Sequence, residues 1–195
     1  MRKNKNPEER KREIIETAKR LFVERGYEET QIKDIVSEIG VAQGLFYYYF
    51  KSKDEVFEII ASEYADAIIK KVEELLVSKM ATKDKIFGIF DVFLDKAESE
   101  SILFNEIQFV GGGVIHERVF NDLSKKLLPI ILKIVEQAIN NGEFHCQFPI
   151  QTTQIIIYGL LSVLQEIEYD KRIDYLKNNL NAIKDIIINM YKIER

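Results

Sequence analysis

TQIKDIVSEIGVAQGLFYYYFKSK, Thr30 to Lys53, is the stretch from which the fold of this chain can be read. Ile32, Ile35, Val36 and Ile39 recur at i, i+3, i+4 and i+7, which places them on one face of a short helix. Gly40 ends that helix, because glycine takes the left-handed conformation at no steric cost. Val41 and Ala42 carry the chain round, and Gln43 to Phe50 form a second short helix. Helix, glycine-containing turn and helix make a helix-turn-helix, whose second helix enters the DNA major groove. That second helix carries five aromatics in the seven residues Gly44–Phe50. Phe46 and Phe50, four apart, share a face and suit a core. Tyr47, Tyr48 and Tyr49 are consecutive, point about 100° apart and cannot all face one core. A tyrosine ring packs on sugars and methyls while its hydroxyl reaches a phosphate, and Lys51 and Lys53 follow directly.

The segment GVAQGLFYYYFKSKDEVF, Gly40–Phe57, resembles the DNA-binding domain of the TetR family of bacterial transcriptional repressors. Gly40, Val41, Gly44, Phe46, Tyr47, Tyr49, Phe50, Ser52 and Lys53 fall on the family pattern, and the likeness covers residues 10–57. It implies that Tyr47, Lys53 and Thr30 bind phosphate, and that Gln43, Gly44, Leu45 and Tyr48 face the bases. Gln43 can pair bidentately with adenine and Leu45 can touch a thymine methyl. Lys33, Tyr49 and Lys51 join as backbone contacts, with the Gln31 amide beside them at a helix N-terminus. Two positions depart from the pattern. Ala42 stands where a serine is usual, removing a cap and a phosphate contact, and Leu45 replaces a common threonine.

Around this segment the chain reads as all-α. A first helix from Glu8 to Arg25 carries Ile14, Ala18, Leu21 and Phe22 on one stripe and ends at Gly26, with Tyr27 packing behind the helix-turn-helix. Arg2, Lys3 and Lys5 ahead of it make either a polar tail or a basic arm. Thr30 is a suitable N-cap for the second helix, and Ser52 with Glu55 forms a capping box for a fourth that runs to Val77. Further helices are expected over Lys83–Ser99, Ile102–Val110, Val114–Asn140, Gln151–Tyr169 and Ile173–Ile193, with Pro129 kinking or interrupting the third of these. Residues 1–52 form the DNA-binding domain, and residues 53–195 form a helical ligand-binding and dimerisation domain.

The last two helices bear on assembly. IIIYGLLSVLQEIEY, Ile155–Tyr169, is apolar almost all round. In the final helix Leu176, Leu180, Ile183, Ile187 and Met190 make one stripe, and Ile186 and Ile193 extend to a second side. Either both helices are core, or the same pair from a second copy covers them in an isologous homodimer. A dimer also lets two short reading helices address a palindrome.

Composition narrows the class. The 195 residues are 46% hydrophobic and 31% charged, as in a globular protein. Net charge is −4, yet residues 1–53 carry +3 and residues 54–195 carry −7, so the basic excess lies with the helix-turn-helix. The single cysteine, Cys146, excludes an internal disulfide and fits a reducing compartment. No apolar run approaches the length that spans a bilayer, so no membrane is expected and the cytoplasm is the default. Enzyme motifs fail one by one. His116-Glu-Arg-Val-Phe120 lacks the second histidine of a zinc protease, and Gly111–Gly113 is not followed by a phosphate-loop lysine. His116, His145 and Cys146 do not assemble a zinc set, so no metal, cofactor or catalytic residue is expected.

The family likeness further implies a repressor released from a palindromic duplex operator by a small-molecule effector, held in a pocket within the helical body. Tyr64, Phe90, Phe93, Asn105, Gln108, Phe109, His116 and Phe120 could line it, although each aromatic could equally fill a core. The competing reading is a helical ligand-binding module that no longer binds DNA.

Overall fold

A computed structural model of the chain describes residues 6–101, 103, 107, 114–168 and 171–193, with no side chains described at 114–117, 119, 120 and 165. Among the described residues every regular element is helical. In chain order they are α1 (Pro7–Arg25), α2 (Ile32–Ile39), α3 (Gln43–Tyr49), α4 (Lys53–Val77), α5 (Thr82–Ser99), α6 (Val114–Asn140), α7 (Pro149–Glu166) and α8 (Arg172–Tyr191). Of the expected helix over Ile102–Val110 only Leu103 and Ile107 are described, both helical and buried, and the basic stretch Arg2–Lys5 lies outside the described residues. These divide into two compact units, one within 1–65 and 102–119, the other within 66–101 and 120–195.

The first unit is built on α1. Asn6 caps it reciprocally with Glu9: the Glu9 amide donates to Asn6 Oδ1 at 2.9 Å, and the Asn6 amide donates to Glu9 Oε2 at 3.1 Å. Pro7 occupies the first helical position, where its missing N–H costs nothing. Ile14, Ile15, Ala18, Leu21 and Phe22 are buried along one face. Phe22, Tyr27 and Phe57 then interlock, with ring centroids 4.8–5.7 Å apart in tilted and edge-on pairs. Ile35 and Val36 of α2, Phe46 and Phe50 of the α3 segment, and Val56 and Ile60 of α4 complete the apolar interior. Gly40 has φ 64° and ψ 48°, and the Val41 amide reaches back to the Val36 carbonyl at 2.9 Å, so α2 closes in a six-to-one turn.

In the second unit α6 buries Leu123, Leu127, Ile130, Ile131, Ile134, Val135 and Ala138. The helix runs on through Pro129, so of the two expected outcomes, a kink or an interruption, the interruption does not occur. Pro129 lies on the exposed side, where water can satisfy the carbonyl that its missing N–H leaves behind. Gly142, at φ 75°, turns the chain so that Phe144 stacks on Tyr191 at 5.4 Å. The His145 amide donates to the Tyr191 carbonyl at 3.0 Å. Lys85, itself buried, donates from Nζ to the Leu76 carbonyl at 2.9 Å and so closes the end of α4.

Two expectations for the last helices are adjusted. α7 ends at Glu166 rather than Tyr169, and Thr153 is the one fully buried residue among its described side chains. Ile193 lies beyond the end of α8 and is buried, because Lys192 takes φ 52° and folds the chain back, the Ile193 amide donating to the Ile188 carbonyl at 2.9 Å. Ile186 remains 56% exposed and Ile155 62% exposed.

Tyr191 makes a measurable contribution. Its hydroxyl pairs with Thr153 Oγ1 at 2.7 Å in the interior. Burial pushes its pKa up to about 12, against the opposing effect of the Thr153 hydrogen bond. A raised folded-state pKa means stability that is complete below pH 10, the unfolded value, and is lost as pH rises from there through about 12. Urea unfolding between these pH values should show the wild type losing about 2–3 kcal/mol more than Tyr191→Phe, the two lines converging with alkalinity.

Candidate nucleic-acid interface

α2 and α3 present opposite characters to the two sides. Ile35, Val36, Phe46 and Phe50 face inward. Ala42, Gln43, Gly44, Tyr47, Tyr48 and Lys51 are exposed, as are Gln31 and Lys33 at the start of α2. Leu45 and Tyr49 are half-buried at the margin. Tyr48 is 75% exposed and Tyr47 54%, high values for such large side chains. Tyr48 meets Tyr49 edge-on at 4.9 Å, and Tyr47 leans edge-on against Phe46 at 5.7 Å. The outer rings are thus steadied by neighbours while their hydroxyl ends stay in solvent. A methyl added at Gly44 would have nothing within 4 Å, so this glycine leaves open space on the outer face.

The α2–α3 turn keeps this face uncluttered. Ala42 is the N-cap of α3 in an extended conformation and supplies no side-chain cap, as expected from its departure from serine. The Leu45 amide donates to the Ala42 carbonyl at 2.9 Å, and the Phe50 amide to the Phe46 carbonyl at 2.9 Å.

Thr30 is placed differently from expectation. The N-cap of α2 is Gln31, not Thr30. Thr30 is fully buried, and its hydroxyl donates to the Gly26 carbonyl at 2.7 Å, with the Leu21 carbonyl at 3.3 Å. A hydroxyl bonding four residues back ties down the end of α1 and is turned away from any phosphate. The Gln31 amide is also occupied, donating to Asp34 Oδ2 at 2.8 Å.

Lys53 is half-buried. Its Nζ donates to the Tyr27 carbonyl at 2.6 Å and to the Thr30 carbonyl at 3.0 Å, and stands 3.9 Å from the centre of the Tyr27 ring. The Tyr27 hydroxyl donates to Asp54, and burial together with this carboxylate holds that phenol well above its ordinary pKa. Neither Tyr27 nor Asp54 was singled out for this role, and the i, i+1 pair Lys53-Asp54 beside a loop tyrosine is a signal that only packing makes legible. Among the cations of this unit, Arg20 pairs with Glu24 and Glu38, Arg12 with Glu16 and Glu63, and Arg10 with Glu13.

The residues expected to line a ligand pocket are described only in part. Tyr64 is buried in the first unit, and Phe90 and Phe93 are half-buried in the second. Asn105, Gln108 and Phe109 lie outside the described residues, as do the side chains of His116 and Phe120. Among the described residues no group of three or more metal-binding side chains occurs, and no helix is long and apolar enough to cross a membrane.

Comparison with known proteins agrees with this geometry. Residues 14–60 match the family model described as bacterial regulatory proteins, tetR family. An uncharacterized HTH-type transcriptional regulator of Bacillus subtilis, YfiR, is 32% identical over 154 residues, covering 74% of this chain and 73% of its own. A transcriptional regulator from Cytophaga hutchinsonii shares the fold with a TM-score of 0.76 at 18% identity, over 93% of this chain and 97% of that one. The Bacillus subtilis regulator FadR, crystallised with stearoyl-CoA, superposes with a TM-score of 0.65 at 20% identity, over 92% and 98% of the two chains.

Thr30→Val keeps the shape of the side chain and removes the inward hydroxyl. Thermal or urea unfolding should report a loss of about 1–2 kcal/mol; unchanged stability would mean that the two carbonyl contacts contribute nothing.

Proposed function

The chain belongs to the tetR family of bacterial regulatory proteins, and from that premise we infer a homodimeric cytoplasmic repressor that leaves a palindromic DNA operator when a small molecule binds. The observation that carries the DNA-binding part is the sorting of α3: Phe46 and Phe50 inward, Gln43, Gly44, Tyr47 and Tyr48 outward. A helix of seven residues that spends its outer face on open glycine and solvated tyrosines is arranged to meet something. Residues 1–52 carry that contact, and residues 53–195 carry effector binding and dimerisation.

Gln43, Gly44, Leu45 and Tyr48 read bases at the groove, while Tyr47, Tyr49, Lys33 and Lys51 hold phosphates on either side. The two amides next along the start of α2, those of Ile32 and Lys33, add a weak dipolar attraction. Dimerisation uses α7 and α8, where Ile155, Tyr158, Val163 and Ile186 lie exposed in a single chain. Large apolar side chains left in solvent in this way are what a second copy would cover. The effector acts by favouring one spacing of the paired reading helices, and α4, continuous from Lys53 to Val77, is a covalent path for the shift. Long-chain acyl thioesters are a reasonable first effector class to try, since FadR was crystallised with stearoyl-CoA.

Two experiments test this. A duplex enriched from a random library by the intact protein serves as operator. On it Gln43→Ala should lose about 1–3 kcal/mol of affinity, and clearly less on unrelated DNA. Equal losses on both would remove Gln43 from base reading, and failure to enrich any duplex would favour a ligand-binding module without DNA contact. Sedimentation equilibrium should report a dimer for the wild type and a monomer for Ile155→Asp, whose charge falls on an exposed position and spares the interior. A monomeric wild type would remove α7 and α8 from assembly.

A further inference from the structure

The first turn of α4 touches the helix-turn-helix at both ends. At the far end, Glu55 Oε2 accepts from the Lys51 amide at 2.6 Å, and the Glu55 amide donates to Ser52 Oγ at 3.1 Å. This secures the exit from α3. At the near end, Lys53 Nζ reaches the carbonyls of Tyr27 and Thr30 and lies on the Tyr27 ring. The Tyr27 carbonyl also accepts from the Thr30 amide at 3.2 Å, so the lysine closes a turn already partly formed. Thr30 immediately precedes Gln31, the N-cap of α2, so whatever fixes the Thr30 peptide fixes where α2 begins.

An ammonium group has three donors in fixed directions. Two point at carbonyls here, and the ring face takes up part of the remaining charge. To meet a phosphate directly the group would have to leave an arrangement of charge-assisted bonds. We propose that Lys53 is a positioning residue for DNA binding rather than a phosphate ligand: it pins the Tyr27–Thr30 turn, and with it the first turn of α2, to the start of α4. This rests on the DNA-binding function inferred above. The positive charge matters for the grip on two carbonyls and an aromatic face, and the DNA feels it through the placement of Ile32 and Lys33.

The test uses the intact chain, the library-enriched duplex and a salt series. Lys53→Met should weaken binding by about tenfold at every salt concentration, the scale of one lost charge-assisted bond. The slope of log affinity against log salt should stay that of the wild type. Amide hydrogen exchange at Ile32 and Lys33 should quicken in the free variant, and Lys53→Arg, which can still bridge both carbonyls, should recover most of the affinity. A slope shallower by about 0.9 per subunit would make Lys53 a phosphate ligand and overturn the proposal. Wild-type affinity in Lys53→Met would overturn it as well, leaving a purely structural bond. Where Lys53→Met does not fold, the unmodified complex decides: nitrogen–phosphorus scalar coupling at the Lys53 ammonium refutes the assignment, and its absence with a slowly exchanging ammonium supports it. If the unmodified protein enriches no duplex, the function itself fails and this proposal with it; if a duplex is enriched and only the lysine readouts disagree, the positioning role alone falls.

Discussion

Helices of eight and seven residues cannot hold themselves together in water, and that constraint governs the whole N-terminal unit. Nucleating a helix costs several ordered dihedrals for each first hydrogen bond, so α2 and α3 exist only because something else fixes them. The interlocked rings of Phe22, Tyr27 and Phe57, together with buried Ile35, Val36, Phe46 and Phe50, supply that support. All structural duty falls on the inner faces. The outer face is released from packing, which is why it can carry a glycine with nothing near it and two solvated phenols.

What the sequence made legible follows from periodicity and from residues with few conformational options. Phe46 and Phe50 separate from Tyr47 and Tyr48 because a four-residue interval places the first pair on one side. Gly40 could be read as a helix terminator because the left-handed conformation it adopts suits little else. The body helices over 82–99 and 114–140 came from their apolar stripes. The misplacements share another cause. A threonine hydroxyl can cap the helix that follows or bond back to the one before, and Thr30 does the second. A lysine next to a helix-turn-helix reads as a phosphate partner, yet Lys53 is turned onto carbonyls by a fold that brings residues 27 and 30 beside it. Pro129 marks a place where a helix can kink or end, and whether the helix continues there depends on packing that is invisible one residue at a time. No spacing rule says which side chains of different helices meet, so Tyr64, Phe90 and Phe93 could be named but not arranged.

The C-terminal unit shows the reverse balance. α6 buries a long apolar stripe, while α7 keeps a single buried residue among its described side chains and leaves isoleucine, tyrosine and valine in solvent. α8 is anchored at its C-terminal end, where Tyr191 stacks on Phe144, bonds Thr153 and receives the His145 amide on its carbonyl, and along its length, where Lys177 pairs with Glu98 and Lys184 lies over the Phe87 ring. These contacts hold one side of the helix and leave Ile186 in solvent.

The character of the α3 surface has a thermodynamic consequence. Most faces that close on a nucleic acid are dominated by cations and release counterions, so entropy from the ion atmosphere drives them. Here Tyr47 and Tyr48 stand exposed on the helix, and much of a tyrosine's surface is ring carbon. Removing it from water lowers the heat capacity of the system. Association through this face would therefore change its enthalpy steeply with temperature, becoming more exothermic on warming, while remaining comparatively tolerant of added salt.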